Sequence, residues 1–178
     1  MRKLNMSELN RLSVDEFKDA EKVPIVMVLD NVRSLHNVGS VFRTADAFRL
    51  TAIYLCGITA TPPNKEIYKT ALGSTESVTW HYFSTTKEAL LALKHNNYTL
   101  IAVEQTANSR SLIEFVPQTA QKYALVLGNE VYGVADEALS VCDIALEIPQ
   151  LGTKHSLNVS VCAGIVLWDF LCKMKATF

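Results

Sequence analysis

The sequence predicts a single α/β domain, a mostly parallel sheet flanked by helices. Two observations predict it. The short runs 25–29 and 123–127 are apolar throughout, as strands covered on both faces are. Between the apolar runs lie segments with apolar residues at helical spacing, so strand and helix take turns along the chain.

Taken in order, Ser13-Val14-Asp15-Glu16 fits a capping box and opens a short charged helix running to about Glu21. Pro24 leads into the strand 25–29. Residues 30–37 form a loop, and 38–48 form a helix with Val41, Phe42, Ala45 and Phe48 on one face. A strand at 52–56 follows, then a break at Thr61-Pro62-Pro63-Asn64 and a short helix at 65–72. Gly73-Ser74 turns into 78–83, which alternates and reads as an edge strand. Residues 86–94 are helical, and 98–103 and 123–127 are strands. A Gly-containing loop leads to a helix at 135–141 and a last strand at 144–148. The segment 158–173 is a long amphipathic helix. The pattern alone suggests a doubly wound, Rossmann-like sheet. Neither GxGxxG nor GxxxxGK[ST] is present, which disfavours a nucleotide-cofactor oxidoreductase.

A chain of 178 residues has room for one core and no second full domain, so residues 1–23 read as a helical lead to a domain at 24–178. No apolar run approaches bilayer length and the start lacks a signal-peptide core, so a cytoplasmic protein is expected. Cys56, Cys142, Cys162 and Cys172 have neither CxxC spacing nor scaffold density, and read as reduced, mostly buried thiols. No spacing suggests a metal. The formal net charge of −1 opposes a general nucleic-acid binder, so any RNA contact needs local positive charge. Arg33, Arg43, Lys65, Lys69 and Lys154 are candidates for it.

Three segments concentrate polar residues at strand ends, where open α/β sheets place ligands. In the first, 31–46, Asn37 is placed to cap a helix and Gly39 to admit a close neighbour. Arg43 either forks onto a phosphate or pairs with Asp46 on its own helix. In the second, 127–133, the Gly-rich loop holds Glu130, which either orients a neighbour or caps the next helix. The third, 148–160, ends in a helix N-terminus capped by Ser156 or Asn158, a place that favours negative groups. His36 and His155 lie in two of these segments, with their roles open.

The runs NVRSLHNVGSVFRTADAF, ALVLGNEVYGV and IPQLGTKHSLNVSVCAGIVLWDF, in that order, resemble the three motifs of the SpoU/TrmH family of SPOUT-class RNA methyltransferases. The likeness covers about 24–168. It implies an α/β sheet with a C-terminal trefoil knot, a rare exception to unthreaded chains. It also implies S-adenosylmethionine as cofactor, a homodimer, and methylation of a ribose 2′-hydroxyl in tRNA or rRNA, with tRNA preferred for so compact a chain. The alternative is a catalytically silent RNA-binding or assembly protein of the same fold. By the resemblance, Arg43, Asn37, Glu130, Ser156 and Asn158 hold the catalytic positions. Val103, Glu104, Gln105, Leu127, Gly128, Asn129, Ile148, Leu151, Ser156 and Leu157 form the cofactor pocket. Val131 departs from the family, which commonly has glycine after the acid, and Met1–Glu21 is the one stretch left for added RNA contacts.

Overall fold

A computed structural model describes residues 1–175. After a 3₁₀ turn at Met6–Leu9, the chain forms α1 (Val14–Asp19), β1 (Val23–Asp30), α2 (Leu35–Ala47), β2 (Leu50–Cys56), α3 (Lys65–Ala71) and α4 (Ser74–Ser77). It continues with β3 (Trp80–Phe83), α5 (Thr86–His95), β4 (Tyr98–Val103), β5 (Arg110–Ser111), β6 (Lys122–Leu127), α6 (Asp136–Leu139), β7 (Ile144–Glu147) and α7 (Val159–Met174). All strand pairs are parallel, in the order β3-β2-β1-β6-β4-β7-β5.

The pairing departs from the Rossmann order expected from pattern. There β4 lies beside β1; here β6 separates them. The run 25–29 is apolar throughout because its residues alternate between two cores. Ile25, Met27 and Leu29 pack with Phe42, Val166 and Phe170, whereas Val26 and Val28 pack with Leu90, Leu93 and Leu100. The predicted edge strand lies at the sheet's edge, shortened to Trp80–Phe83 because the residues before it wind into α4. Both α4 and the two-residue β5 escaped the sequence reading, being too short to carry a period.

The lead is tied to the domain through Phe17, 4% exposed in the main core. Ser13 and Glu16 close the capping box at the start of α1. The helix ends at Asp19 rather than near Glu21, where the Lys22 ammonium donates to the carbonyls of Phe17, Lys18 and Ala20. Among the four thiols only Cys56 is fully buried; Cys142 and Cys162 are partly buried and Cys172 is exposed. No helix of the described residues is long and apolar enough to cross a membrane.

The candidate site at the carboxyl ends of β4, β6 and β7

Strands β6, β4 and β7 are neighbours, so the loops that leave their carboxyl ends converge. The loop after β6 is the most constrained. A Cβ on Gly128 would lie 2.1 Å from the Gly133 carbonyl carbon and 2.2 Å from Val134 N, so only glycine lets the loop fold back. Asn129 and Gly133 then exchange both backbone hydrogen bonds at 2.9 Å. Gly133 has a φ of +69°, and a Cβ there would strike the Glu104 carboxylate. That carboxylate instead accepts from Val134 N–H at 2.9 Å and from Gln105 N–H at 2.9 Å, tying the β4 loop to the β6 loop. Gln105 Nε2 donates to the His155 carbonyl at 3.2 Å and brings in the loop after β7.

Glu130 joins this region to the first segment. One carboxylate oxygen accepts from Arg33 N–H at 3.0 Å; the other accepts from Ser34 N–H at 3.0 Å and from Asn37 Nδ2 at 2.9 Å. These N–H groups stand at the start of α2, where a helix leaves donors unsatisfied and favours negative charge. Glu130 therefore serves α2, not the helix that follows it in sequence. Asn37 Oδ1 in turn accepts from Asn158 Nδ2 at 3.1 Å, and Asn158 Oδ1 caps α7 by accepting from Ser160 N–H at 2.9 Å. A continuous chain Glu130–Asn37–Asn158 thus links all three polar segments. Burial pushes the Glu130 carboxyl up, but the Arg33 N–H, the Asn37 amide and the other N–H donors outweigh it, so it lies below the usual glutamate range.

One expected cap is corrected, and of the two candidates for another the structure selects one. The side chain of Ser34, not Asn37, caps α2, which begins three residues earlier than expected and leaves the Asn37 amide free to bridge. Asn158, rather than Ser156, caps α7. The close neighbour at Gly39 is α3 and not a ligand: a Cβ would sit 2.1 Å from Thr70 Oγ1 and 2.3 Å from the Ile67 carbonyl oxygen.

The three loops enclose a cleft of about 500 Å³, a size suited to a nucleoside-like ligand. Of the expected cofactor residues, Val103, Glu104, Gln105, Leu127, Gly128, Asn129, Ile148, Ser156 and Leu157 line it. Leu151 does not; its side chain is fully exposed, as the loop turns outward there. Glu130 and Asn158 also line the cleft, with Asn37 behind them. Arg43 is elsewhere. It is exposed, beside Lys69, Thr70 and Gly164 in a separate depression, and the pairing with Asp46 does not form, since Asp46 accepts from the Ser77 hydroxyl. His36 pairs with Glu66 at 3.1 Å, whereas His155 lines the cleft.

Sequence reasoning missed Leu146, Glu147 and Cys162 as cleft residues. Cys162 was open to discovery, because it sits one turn after Asn158 on the same helix. Burial, with a smaller push from Glu104, raises its thiol to about 11, which keeps it protonated and unreactive. The cleft lining contains Glu104, Glu130 and Glu147 but no lysine or arginine. Among the described residues no group of three or more His, Cys, Asp or Glu is placed to hold a metal ion.

Fold and cleft together define an α/β protein with a ligand site built by loops at the carboxyl ends of adjacent parallel strands. The profile of the SpoU rRNA Methylase family matches residues 24–168, and the chain belongs to that family. It is 31% identical over 153 residues to the 23S rRNA (guanosine-2'-O-)-methyltransferase RlmB of Neisseria meningitidis, covering 86% of this chain and 60% of that protein. It is 29% identical over 163 residues to the tRNA (guanosine(18)-2'-O)-methyltransferase of Thermus thermophilus, covering 92% of this chain and 82% of the relative. The AdoMet-bound rRNA methyltransferase of Sinorhizobium meliloti superposes with a TM-score of 0.78 at 25% identity, over 88% of this chain and 59% of that one.

Proposed function

We propose that this protein transfers a methyl group from S-adenosylmethionine to a ribose 2′-hydroxyl of RNA, with tRNA as the preferred substrate. The observation that carries this reading is the Glu130–Asn37–Asn158 chain at the mouth of the cleft. It joins the three polar segments into one rigid polar edge beside a ligand-sized space.

The cleft fits the cofactor. Val103, Leu127, Leu146 and Ile148 offer apolar walls for a purine, and the carboxylates suit a ligand bearing a sulfonium and an ammonium. When bound, S-adenosylmethionine supplies a methyl group on a good leaving group, so the protein's task is alignment and charge control. Both Glu130 oxygens are occupied by N–H donors and the group is ionised at neutral pH, so it holds α2 and Asn37 in place rather than removing a proton. Asn158 on the cleft wall and Asn37 behind it orient what enters, and Ser156 lies on the same wall as Asn158. Arg43 presents a forked guanidinium that binds a substrate phosphate and stabilises the developing alkoxide.

Because Arg43 lies outside its own chain's cleft, the reading calls for a homodimer in which one protomer's Arg43 serves the other's cleft. The exposed Trp168, Ile165 and Val161 of α7 support such a contact. The C-terminal trefoil knot of the family fold belongs to this reading, with the Gln105–His155 hydrogen bond tying the loop after β7 to the loop after β4. Residues 24–178 act as one methyltransferase domain with 1–23 as its docked lead, in the cytoplasm, where substrate RNA is found.

The test is transfer of labelled methyl from S-adenosylmethionine to bulk tRNA and rRNA, with products digested to nucleosides. A 2′-O-methyl nucleoside is expected with wild type. Arg43→Ala should lose roughly a hundredfold or more in rate while binding S-adenosylhomocysteine normally. Mixing Arg43→Ala with Gly128→Ala protomers, the latter impaired in their own cleft, should restore part of the activity if the site spans two subunits. Cofactor binding without transfer to either RNA would favour a silent binder.

A further inference from the structure

The loop that carries Glu130 presents an aromatic ring that none of the described residues covers. Tyr132 is 86% exposed and Val131 beside it 64%, yet both line the mouth of the cleft. This exposure belongs to a fixed backbone. Asn129 Oδ1 accepts from Val131 N–H at 2.8 Å and Tyr132 N–H at 3.2 Å, and the paired Asn129–Gly133 hydrogen bonds close the turn around them. Asn129 Nδ2 also donates to the Asn31 carbonyl at 2.7 Å, which pins the loop to the end of β1. The hydroxyl of Tyr132 has no hydrogen-bond partner among the described residues.

We infer that the Tyr132 ring stacks on the base of the nucleotide whose ribose is methylated, an inference that rests on the function proposed above. Among the described residues the cleft lining carries three glutamates and no lysine or arginine, so it offers no cationic side chain to a phosphate from its own chain. A nucleotide entering there needs a neutral contact. Base stacking on an aromatic ring is such a contact, and every base has a face to offer. Position agrees, since Tyr132 lies two residues beyond Glu130, beside the polar edge that receives the ribose. The cofactor's purine is not the partner. Its apolar walls, Leu127 at 1% and Leu146 at 0% exposure, lie deep in the cleft, whereas Tyr132 stands at the rim.

The experiment uses the full chain as wild type, Tyr132→Ala and Tyr132→Trp. Binding of bulk tRNA and rRNA is measured at saturating S-adenosylhomocysteine, alongside methyl-transfer kinetics, S-adenosylhomocysteine affinity and sedimentation. Tyr132→Ala should weaken RNA binding and raise KM for RNA roughly tenfold. Its S-adenosylhomocysteine affinity and oligomeric state should stay unchanged, and Tyr132→Trp should match or exceed wild type. Unchanged RNA binding in Tyr132→Ala overturns the inference. So does a matching loss of S-adenosylhomocysteine affinity, which would give the ring to the cofactor, or a change in sedimentation, which would give it to a subunit contact. Wild type that binds RNA but transfers no methyl overturns only the proposed reaction. Failure to bind RNA at all overturns both.

Discussion

Glu130→Gln tests the polar chain with almost no change of shape. The wild-type carboxylate accepts three hydrogen bonds, two on one oxygen and one on the other. A glutamine amide can keep the oxygen that serves Ser34 and Asn37, but its NH₂ then faces the Arg33 N–H, so one bond is lost. A hydrogen bond to a charged group contributes about 1.5–3 kcal/mol, and a charge at a helix N-terminus about 0.3–1 kcal/mol. Glu130 is exposed on one side, so solvent screening reduces both and the expected loss is about 2 kcal/mol. For a chain of this size that lowers Tm by roughly 4–8 °C. The pH dependence follows from the direction of the shift. The folded carboxyl titrates below its unfolded value, so its contribution is complete above about pH 4.3 and is lost as pH falls through the lower folded value. Urea denaturation of wild type and Glu130→Gln should therefore give stabilities separated at pH 7 that converge as the pH drops below about 4. Equal stability at pH 7, or a gap that widens on acidification, refutes this account of Glu130.

Gly128→Ala should cost about 2–3 kcal/mol, because the new methyl must push against backbone at 2.1–2.4 Å. Calorimetry with S-adenosylhomocysteine should also find its affinity sharply reduced, and wild-type affinity would show that the loop yields without cost. A double-mutant cycle on Asn37→Ala and Asn158→Ala should give a coupling of about 1 kcal/mol in denaturation, with additivity counting against their hydrogen bond. The single Asn158→Ala change should cost about 1 kcal/mol more than the coupling, through loss of the α7 cap. Leu151→Ser should leave S-adenosylhomocysteine affinity unchanged, and a loss measured by the same calorimetry would return Leu151 to the cleft.

Much of the architecture is written locally. The strand 98–103 has the bounds the sequence predicts, because its apolar run stops abruptly at polar residues. The start of α2 was hidden for the opposite reason. Its first N–H groups are satisfied by Ser34 and by a carboxylate that lies nearly a hundred residues away in sequence, which no local pattern displays. The insertion of β6 between β1 and β4 was likewise invisible, since all three strands carry similar apolar runs. At the site, nine of the ten residues that the resemblance assigns to the cofactor pocket line one cleft. Leu151 does not line it, since apolar character says nothing about the direction of an exposed loop. The place of Arg43 in a depression apart from the cleft was not legible, because helical spacing gives a residue's face on its own helix and not which loops gather opposite it.

The bridge from Glu130 through Asn37 to Asn158 also sets an order of events during synthesis. Its members are 93 and 121 residues apart, and such distant pairings form late because large loops must close first. While the ribosome has made the chain only as far as β7, Glu130 can already seat α2, yet Asn37 still has an unclaimed acceptor and α7 does not exist. The polar edge is complete only when Asn158 arrives to start the final helix. A chain cut before Asn158 therefore holds only the Glu130–Asn37 half of the polar edge, and the edge closes in one step once Asn158 has joined it.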